Sequence, residues 1–584
     1  MNNGPPSSRR DLEGPASDLA RPPASRRASV SATFAAFLES LGAEVAYGLV
    51  GGAVVPVCDA LARSGISIIH CRHESGAAFA ALEDSLATGR MTIVFATAGP
   101  GITNAITGLC SARIEGAKVL LVSGGTMAAR RERGASQETT LATLPAGLLS
   151  EGPVFHYAAI VEHPTQLPAV LRRIALGARA IEGFVAHVHF PLNVQTAAAQ
   201  GRAFAQSALP GPAASTEALD TVAKILREEA CALWVGFGAR GASKLVLALA
   251  ERLQLPVMCS PRAKGIFPED HPLYMGVTGV GGHARVAQCL RSLGIQRTLV
   301  LGSRLWECTS FWNESLAPPE GFVHVDVDAK AFGAAYPSTP TVGIVAEIGS
   351  LLAGLLPRVP DRREQPIALP AREETAPLEP PVEGSVRPRF LFEALQRVVV
   401  EGSDAVVLTE AGNAFVWGSH VLRFRKPGRY RVGLHFGSMG HATTGVVGAA
   451  RAHGKAAVAV VGDGAMLMFE EVSTAVRYGI PAVWVVMNDR RYGIVEHGMR
   501  ALGYSPLETT LPDTDFTLVA RGMGALGRRV TREAELDAAL REALLARCPF
   551  VVDVLIDPDE RAPITSRFRS LESQGVMPME DFFT

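Results

Sequence analysis

Asp463 and Asp489 are the residues whose type and placement point most directly to chemistry. Asp463 sits in Gly462-Asp463-Gly464, at the end of an apolar run (456–461, AAVAVV). Asp489 belongs to Asn488-Asp489-Arg490-Arg491-Tyr492-Gly493, at the end of another (482–487, AVWVVM). The segment between them, 466–479, reads as a helix. Strand, helix and strand at this spacing make one βαβ unit of a parallel sheet, and ligands gather at the carboxyl ends of such strands. Both motifs lie at such ends. The two carboxylates can therefore converge on one hard cation, while Gly464 lets a phosphate approach the backbone at a helix N-terminus. A magnesium ion bridging two carboxylates and a diphosphate is the expected occupant. Alone, the first motif is a common tight turn and the second a common loop pair; it is their joint placement that is specific.

The elements that must position these residues follow the same pattern throughout. Within 29–195, apolar runs at 45–50, 66–71, 91–96, 118–123 and 185–190 each feed a loop and then a helical segment. That alternation predicts an open parallel α/β domain. A polar linker follows, and 215–357 repeats the pattern with strands expected near 232–235, 256–259, 298–301 and 322–326. A second linker, 358–387, is dense in Pro, Glu and Arg, which suits an extended connector. The third domain is expected over 388–560, with a further strand at 405–408 and a tail from 561 to 584. The predicted fold class is thus α/β, with three open parallel-sheet domains. Residues 1–28, rich in Pro, Ser, Ala and Arg, are expected to be a disordered tail without a secretion signal.

Composition narrows the function. The chain has 584 residues, 48% of them hydrophobic, and a formal net charge of −1. That balance offers no field for nucleic acid and no membrane partner, and no apolar run is long enough to span a bilayer. Eight scattered cysteines without a C-x-x-C pair fit a reduced, cytoplasmic protein rather than a disulfide framework or zinc site.

Glycine-aspartate-glycine followed by an Asn-Asp pair resembles the signature of thiamine diphosphate enzymes. The resemblance runs from about residue 28 to 560 and is nearest to the acetolactate synthase-like branch. It implies three domains, binding the pyrimidine, a central function and the diphosphate in that order. It implies that Asp463, Asp489 and the backbone carbonyl of Arg491 hold the metal, with Gly464, Ala465, Tyr492 and Gly493 beside the cofactor. The family more often has Asn where Asp489 stands, so Arg490 or Arg491 is expected to offset the extra charge. In Thr409-Glu410-Ala411-Gly412-Asn413-Ala414, the residues Gly412, Asn413 and Ala414 are expected at the diphosphate. Gly437-Ser438-Met439-Gly440 resembles the aminopyrimidine loop, in which Gly437 accepts from the amino group and Met439 wedges between the rings.

The first domain supplies the other half. Taken alone, Glu74 in Arg72-His73-Glu74-Ser75-Gly76 would merely complement a helix dipole. The resemblance implies instead that it hydrogen-bonds the pyrimidine N1′ of a cofactor held by a neighbouring subunit. That contact promotes the imino tautomer that removes the thiazolium C2 proton. Ala98-Gly99-Pro100-Gly101-Ile102-Thr103-Asn104 matches the glycine-rich loop beside the pyrimidine and nominates Asn104. The segment Tyr47 to Pro56 resembles the synthases' active-site loop and nominates Gly51 and Gly52, while Gly134-Ala135-Ser136-Gln137-Glu138 nominates Gln137 as catalytic. Because the two cofactor halves fall on different domains, a homodimer or homotetramer is expected.

The expected reaction is decarboxylation of a 2-oxo acid followed by addition to an acceptor carbonyl. The alternatives are a simple decarboxylase, a 2-hydroxyacyl lyase or, in another class, a non-catalytic nucleotide-binding protein. Val50 stands where Pro is usual and Ser136 where Phe is usual, and a Trp that selects 2-ketobutyrate is absent. These departures argue against the branched-chain biosynthetic enzyme itself. His435 and His441 flank the Met439 loop; a packing role is about as expected for each, and His435 is the preferred proton-transfer candidate. Gly236-Phe237-Gly238-Ala239-Arg240-Gly241 is a weak dinucleotide fingerprint. The following strand ends in Ser260 rather than an acid, against NAD. An empty central site is expected over bound FAD.

Overall fold

The computed structural model describes residues 28–145, 147–200, 211–371, 384–433, 435–468, 471–564, 567, 574 and 575. The expected N-terminal tail and most of the C-terminal tail lie outside the described residues, as do the middles of both linkers. Three six-stranded sheets follow one another along the chain. The first contains β1 (Val45–Gly48), β2 (Ser67–His70), β3 (Thr92–Ala96), β4 (Lys118–Gly125), β5 (Tyr157–Ile160) and β6 (Phe184–Pro191). The second contains β7 (Cys231–Val235), β8 (Val257–Cys259), β9 (Tyr274–Val277), β10 (Arg297–Leu301), β11 (Phe322–Asp326) and β12 (Thr341–Val345). The third contains β13 (Val406–Thr409), β14 (Tyr430–Val432), β15 (Ala457–Gly462), β16 (Ala482–Asn488), β17 (Leu526–Val530) and β18 (Phe550–Leu555). Every ladder in them is parallel. The interior strands are buried on both faces, which is why they read as unbroken apolar runs in the sequence.

Strand order says where ligands belong. The first sheet runs β2-β1-β3-β4-β6-β5 and the third β14-β13-β15-β16-β18-β17, the same topology. The middle sheet runs β12-β11-β10-β7-β8-β9, the doubly wound order of dinucleotide-binding domains. The order in which strands are added reverses between β1 and β3, between β7 and β10, and between β13 and β15. A crevice opens at the carboxyl ends of strands at each such point.

The first and third domains meet through small residues. The helix Glu74–Thr88 (ESGAAFAALEDSLAT) packs along the helix His441–His453 (HATTGVVGAARAH). A Cβ on Gly448 would lie 1.9 Å from the Ala80 carbonyl oxygen, so only glycine permits this approach. Buried charge crosses the same seam. His441 Nε2 is 2.8 Å from Glu83 Oε1, and Arg431 Nε is 3.7 Å from Glu83 Oε2. Burial by itself would push the imidazole of His441 down, but the Glu83 carboxylate outweighs it and the net direction is up. The pair is therefore a structural ion pair between domains.

The helix expected over 466–479 is shorter: a short turn, Asp463–Met466, directly follows β15, residues 467 and 468 are turn, and the described helix covers Glu471–Tyr478. No helix among the described residues is long and apolar enough to cross a membrane, and the eight cysteines are free thiols. Gly448→Ala is expected to lower the thermal midpoint, at a cost on the order of 1–3 kcal/mol. A midpoint equal to wild type would show that the two helices part without cost.

Candidate active site

In the third domain, β13, β15 and β16 are neighbours, and the loops leaving their carboxyl ends carry the expected ligands. Asp463 and Asp489 are 3% and 8% exposed. Asp463 Oδ1 accepts the Gly464 N–H at 2.8 Å, while its Oδ2 is buried without a hydrogen-bond partner. Burial pushes the Asp463 carboxyl up to about 6. Burial, then the neighbouring Asp463 charge, pushes Asp489 up to about 7. Two carboxylates forced together out of water, one with an orphaned oxygen, are what a bound cation would relieve. Two carboxylates alone do not complete a metal shell, and among the described residues no group of three acidic, His or Cys side chains forms one. That donor set suits magnesium, which keeps substrate phosphates among its ligands.

Several of the remaining third-domain candidates lie beside this pair. Gly412 has φ +120° and ψ −154°, which L side chains avoid, and caps the helix Asn413–Val421. Asn413 Oδ1 is buried without a partner, and Ala414 follows in the same first turn. A Cβ on Gly493 would lie 2.4 Å from Asp489 Oδ2 and 3.1 Å from Asn413 Nδ2, so Asp489, Asn413 and the start of the helix Gly493–Ala501 converge. A Cβ on Gly464 would lie 2.4 Å from the Tyr492 ring, which places those two together beside buried Ala465. The Arg491 guanidinium donates to Glu496 at 3.0 Å and lowers Asp489, supplying part of the expected charge offset. Gly437 has φ +62°, and Met439 is exposed on the loop that ends at Gly440.

The first-domain candidates form a second cluster, at the β1/β3 crevice. Glu74 is 6% exposed and opens the Glu74–Thr88 helix, and Asn104 Nδ2 donates to its Oε2 at 3.1 Å. A Cβ on Gly101 would lie 3.2 Å from Glu74 Oε1 and 3.0 Å from Thr97 Cγ2. Thr97 Oγ1 donates to Gln137 Oε1 at 3.3 Å, and a Cβ on Gly51 would lie 2.5 Å from Thr97 Oγ1. Glu74, Asn104, Thr97, Gln137 and Gly51 are thus contiguous, with exposed Gly52 at the rim.

His435 is placed elsewhere. Its ring packs edge-on against Trp306 of the middle domain, centroids 4.5 Å apart, and lines the β7/β10 crevice. Burial, then Arg262 and Arg304, pushes it down to about 3, so it is a neutral ring. Sequence reasoning placed it by proximity to Met439, but its surroundings come from another domain. Two glycines of the weak fingerprint serve packing: a Cβ on Gly236 would lie 2.2 Å from the Gly302 carbonyl oxygen and one on Gly238 2.9 Å from Gly302 Cα. Phe237 is flanked by the guanidinium groups of Arg240 and Arg262, at 4.5 and 3.9 Å from its centroid.

Sequence reasoning missed Glu410. It is 1% exposed and accepts from the Thr443 N–H at 3.0 Å and hydroxyl at 2.9 Å. It thereby ties the 409–414 loop to the helix that follows Met439. Its only sequence signal was its place two residues before Gly412.

Profiles of known families agree with this arrangement. The N-terminal TPP binding domain of thiamine pyrophosphate enzymes matches residues 28–144. The central domain matches 219–355, and the C-terminal TPP binding domain 410–554. The chain belongs to the thiamine pyrophosphate enzyme family. Acetolactate synthase isozyme 1 large subunit of Escherichia coli K12 is 28% identical over 539 residues, covering 90% of this chain and 93% of the relative. A probable acetolactate synthase large subunit of Methanocaldococcus jannaschii is 27% identical, covering 90% and 92%. Acetolactate synthase of Mycobacterium bovis is 28% identical, covering 94% and 92%. The chain is therefore a thiamine diphosphate-dependent enzyme of the acetolactate synthase-like group.

In metal-free protein the raised carboxyls have a calculable sign. Both bind protons more tightly folded than at the ordinary value of 3.8, so their contribution to stability falls as pH rises from about 4 to about 7. Asp489→Asn, which removes one of the like charges, is expected to gain stability relative to wild type across that window. Saturating magnesium with thiamine diphosphate is expected to reverse the order. Thermal midpoints of both proteins against pH measure this; a difference independent of pH would show that the pair is not strained.

Proposed function

We propose that this chain is a magnesium- and thiamine diphosphate-dependent homo-oligomer that decarboxylates a 2-oxo acid and joins the product to an acceptor carbonyl. The observation that carries the reading is the orphaned Asp463 oxygen beside Asp489 and Asn413, at the third sheet's crevice. The matching crevice of the first sheet holds Glu74 on Asn104. The named activity of the relatives favours carboligation over plain decarboxylation.

Thiamine diphosphate, when bound, supplies a nucleophilic carbon and an electron sink. Asp463 and Asp489 would hold the magnesium, with Arg491 contributing its carbonyl. Gly412, Asn413 and Ala414 would present backbone to the diphosphate at a helix N-terminus, with Gly464 and Gly493 beside it. Gly437 and Met439 would seat the pyrimidine. Glu74 would hold the proton at N1′, kept in place by Asn104 and by the absence of a side chain at Gly101. Gln137, Thr97 and Gly51 would orient the 2-oxo acid.

The homo-oligomer is supported by apolar side chains left exposed around both clusters. Val50 and Val55 flank the first, and Phe436, Met439, Leu467 and Met468 the second. A second copy of the chain, bringing its first domain to this third domain, would cover them.

Pyruvate incubated with protein, thiamine diphosphate and magnesium is expected to disappear in proton NMR as acetolactate or acetoin forms. Glu74→Ala is expected to lower that rate by about 10²-fold or more. Acetaldehyde alone would assign plain decarboxylation. Retention of nucleotide with no thiamine diphosphate affinity would reject the reading. Sedimentation is expected to show at least a dimer, and a monomer at micromolar concentration would remove the shared site.

A further inference from the structure

The loop that presents Glu74 is gripped from outside its own domain. Glu471, the first residue of the helix Glu471–Tyr478 in the third domain, is 1% exposed. Its Oε1 accepts the backbone N–H of Arg72 at 3.0 Å and of His73 at 3.1 Å. Its Oε2 accepts the Thr474 hydroxyl. The same helix reaches the loop twice more: Arg72 Nε donates to Ser473 Oγ at 2.7 Å, and the His70 N–H donates to the Tyr478 hydroxyl at 2.8 Å. One helix thus holds the backbone at 70, 72 and 73, up to the residue before Glu74.

Gly76 belongs to this grip. A Cβ there would lie 2.5 Å from Glu471 Oε1, so glycine is what admits the carboxylate against the first turn of the Glu74 helix. A buried carboxylate is costly unless its lone pairs are used, and charge-assisted bonds to backbone N–H are the strong kind. Here that strength is directed at two amides adjacent to the proposed proton-holding acid. The partners of Glu471 are backbone amides and the Thr474 hydroxyl, not Asn104 or Gln137.

We infer that Glu471 is a positioning residue: it sets where Glu74 stands by pinning the Arg72-His73 backbone to the metal-binding domain. The inference rests on the thiamine diphosphate reading and deepens it. The carboxylate of Glu74 is aimed by Asn104, but its backbone is fixed by a residue on the same chain segment as Asp463. A displacement of an acid by about 1 Å costs on the order of 10²-fold in a proton-transfer step, far more than it costs ligand affinity.

The test separates those two quantities. Glu471→Ala, Glu471→Gln and Gly76→Ala are each loaded with thiamine diphosphate and magnesium. Cofactor affinity is read by fluorescence quenching, and exchange of the cofactor C2 proton for deuterium by acid quench and NMR. Glu471→Ala is expected to bind the cofactor within about threefold of wild type and to exchange C2 roughly 10-fold or more slowly. Glu471→Gln, which keeps an oxygen for the two amides, is expected to recover most of the rate. Gly76→Ala, which displaces the carboxylate without removing it, is expected to match Glu471→Ala. C2 exchange at the wild-type rate in both Glu471→Ala and Gly76→Ala overturns the inference, as does loss of exchange only in proportion to lost cofactor. If Glu471→Ala does not fold, Gly76→Ala decides alone by the same two readings. Wild-type protein that neither binds the cofactor nor exchanges its proton fails the functional reading itself, and this inference with it.

Discussion

Two carboxylates buried side by side cannot both ionise without a counter-charge, and the third domain is built around that constraint. Asp463 and Asp489 stand at the ends of adjacent strands, shielded from water, with one oxygen left unpartnered. An apolar pair at those positions would fold with less strain. The chain keeps the acids, and a bound cation would offset their cost. The surrounding glycines make room for the groups packed against that pair. Gly464 yields to the Tyr492 ring, Gly493 yields to the Asp489 carboxylate, and Gly412 adopts a backbone conformation closed to other residues.

The contacts that hold the first and third domains of one chain together are of a second kind. The first and third domains share a strand order, so each opens a crevice at the corresponding point. They are locked together by glycine and alanine along two helices, by the Glu83–His441 pair, and by Glu471 on the Glu74 loop. Acids and their hydrogen bonds recur at each junction because directional contacts define register where small apolar residues alone would let the helices slide.

The middle domain is built on a different strand order and meets the others at a charged seam. Arg262 pairs with Glu115 at 2.8 Å and flanks Phe237, while the backbone N–H of His435 donates to Glu115 at 3.2 Å. His435 therefore begins the Met439 loop with its ring in another domain. It shares that loop with residues proposed at the cofactor while packing in a different cavity.

Much of this was legible in the sequence. Interior strands of a parallel sheet are covered on both faces, so β3, β15 and β16 appear as unbroken apolar runs ending in small or acidic residues. Those endings revealed the Asp463–Asp489 pair, and the family resemblance added Glu74, Gln137 and Met439. The edge strands β5, β9, β12, β14 and β17 were missed. Several are half-exposed, as β12 and β17 are, and carry no continuous apolar signal; β18, an interior strand, was not singled out either. The turn at 467–468, after Asp463–Met466, was invisible because helical periodicity runs through it. Glu410 and Glu471 were passed over for a further reason: a buried acid is defined by the amides and hydroxyls it satisfies, and those come from distant parts of the chain. What the sequence by itself determined is the sheet class and the strand-end loops that carry the candidate residues, because both depend on residues adjacent along the chain. What only the tertiary structure decided is which acids answer which backbone and where His435 resides, because burial and hydrogen-bond partners are properties of the packed domains.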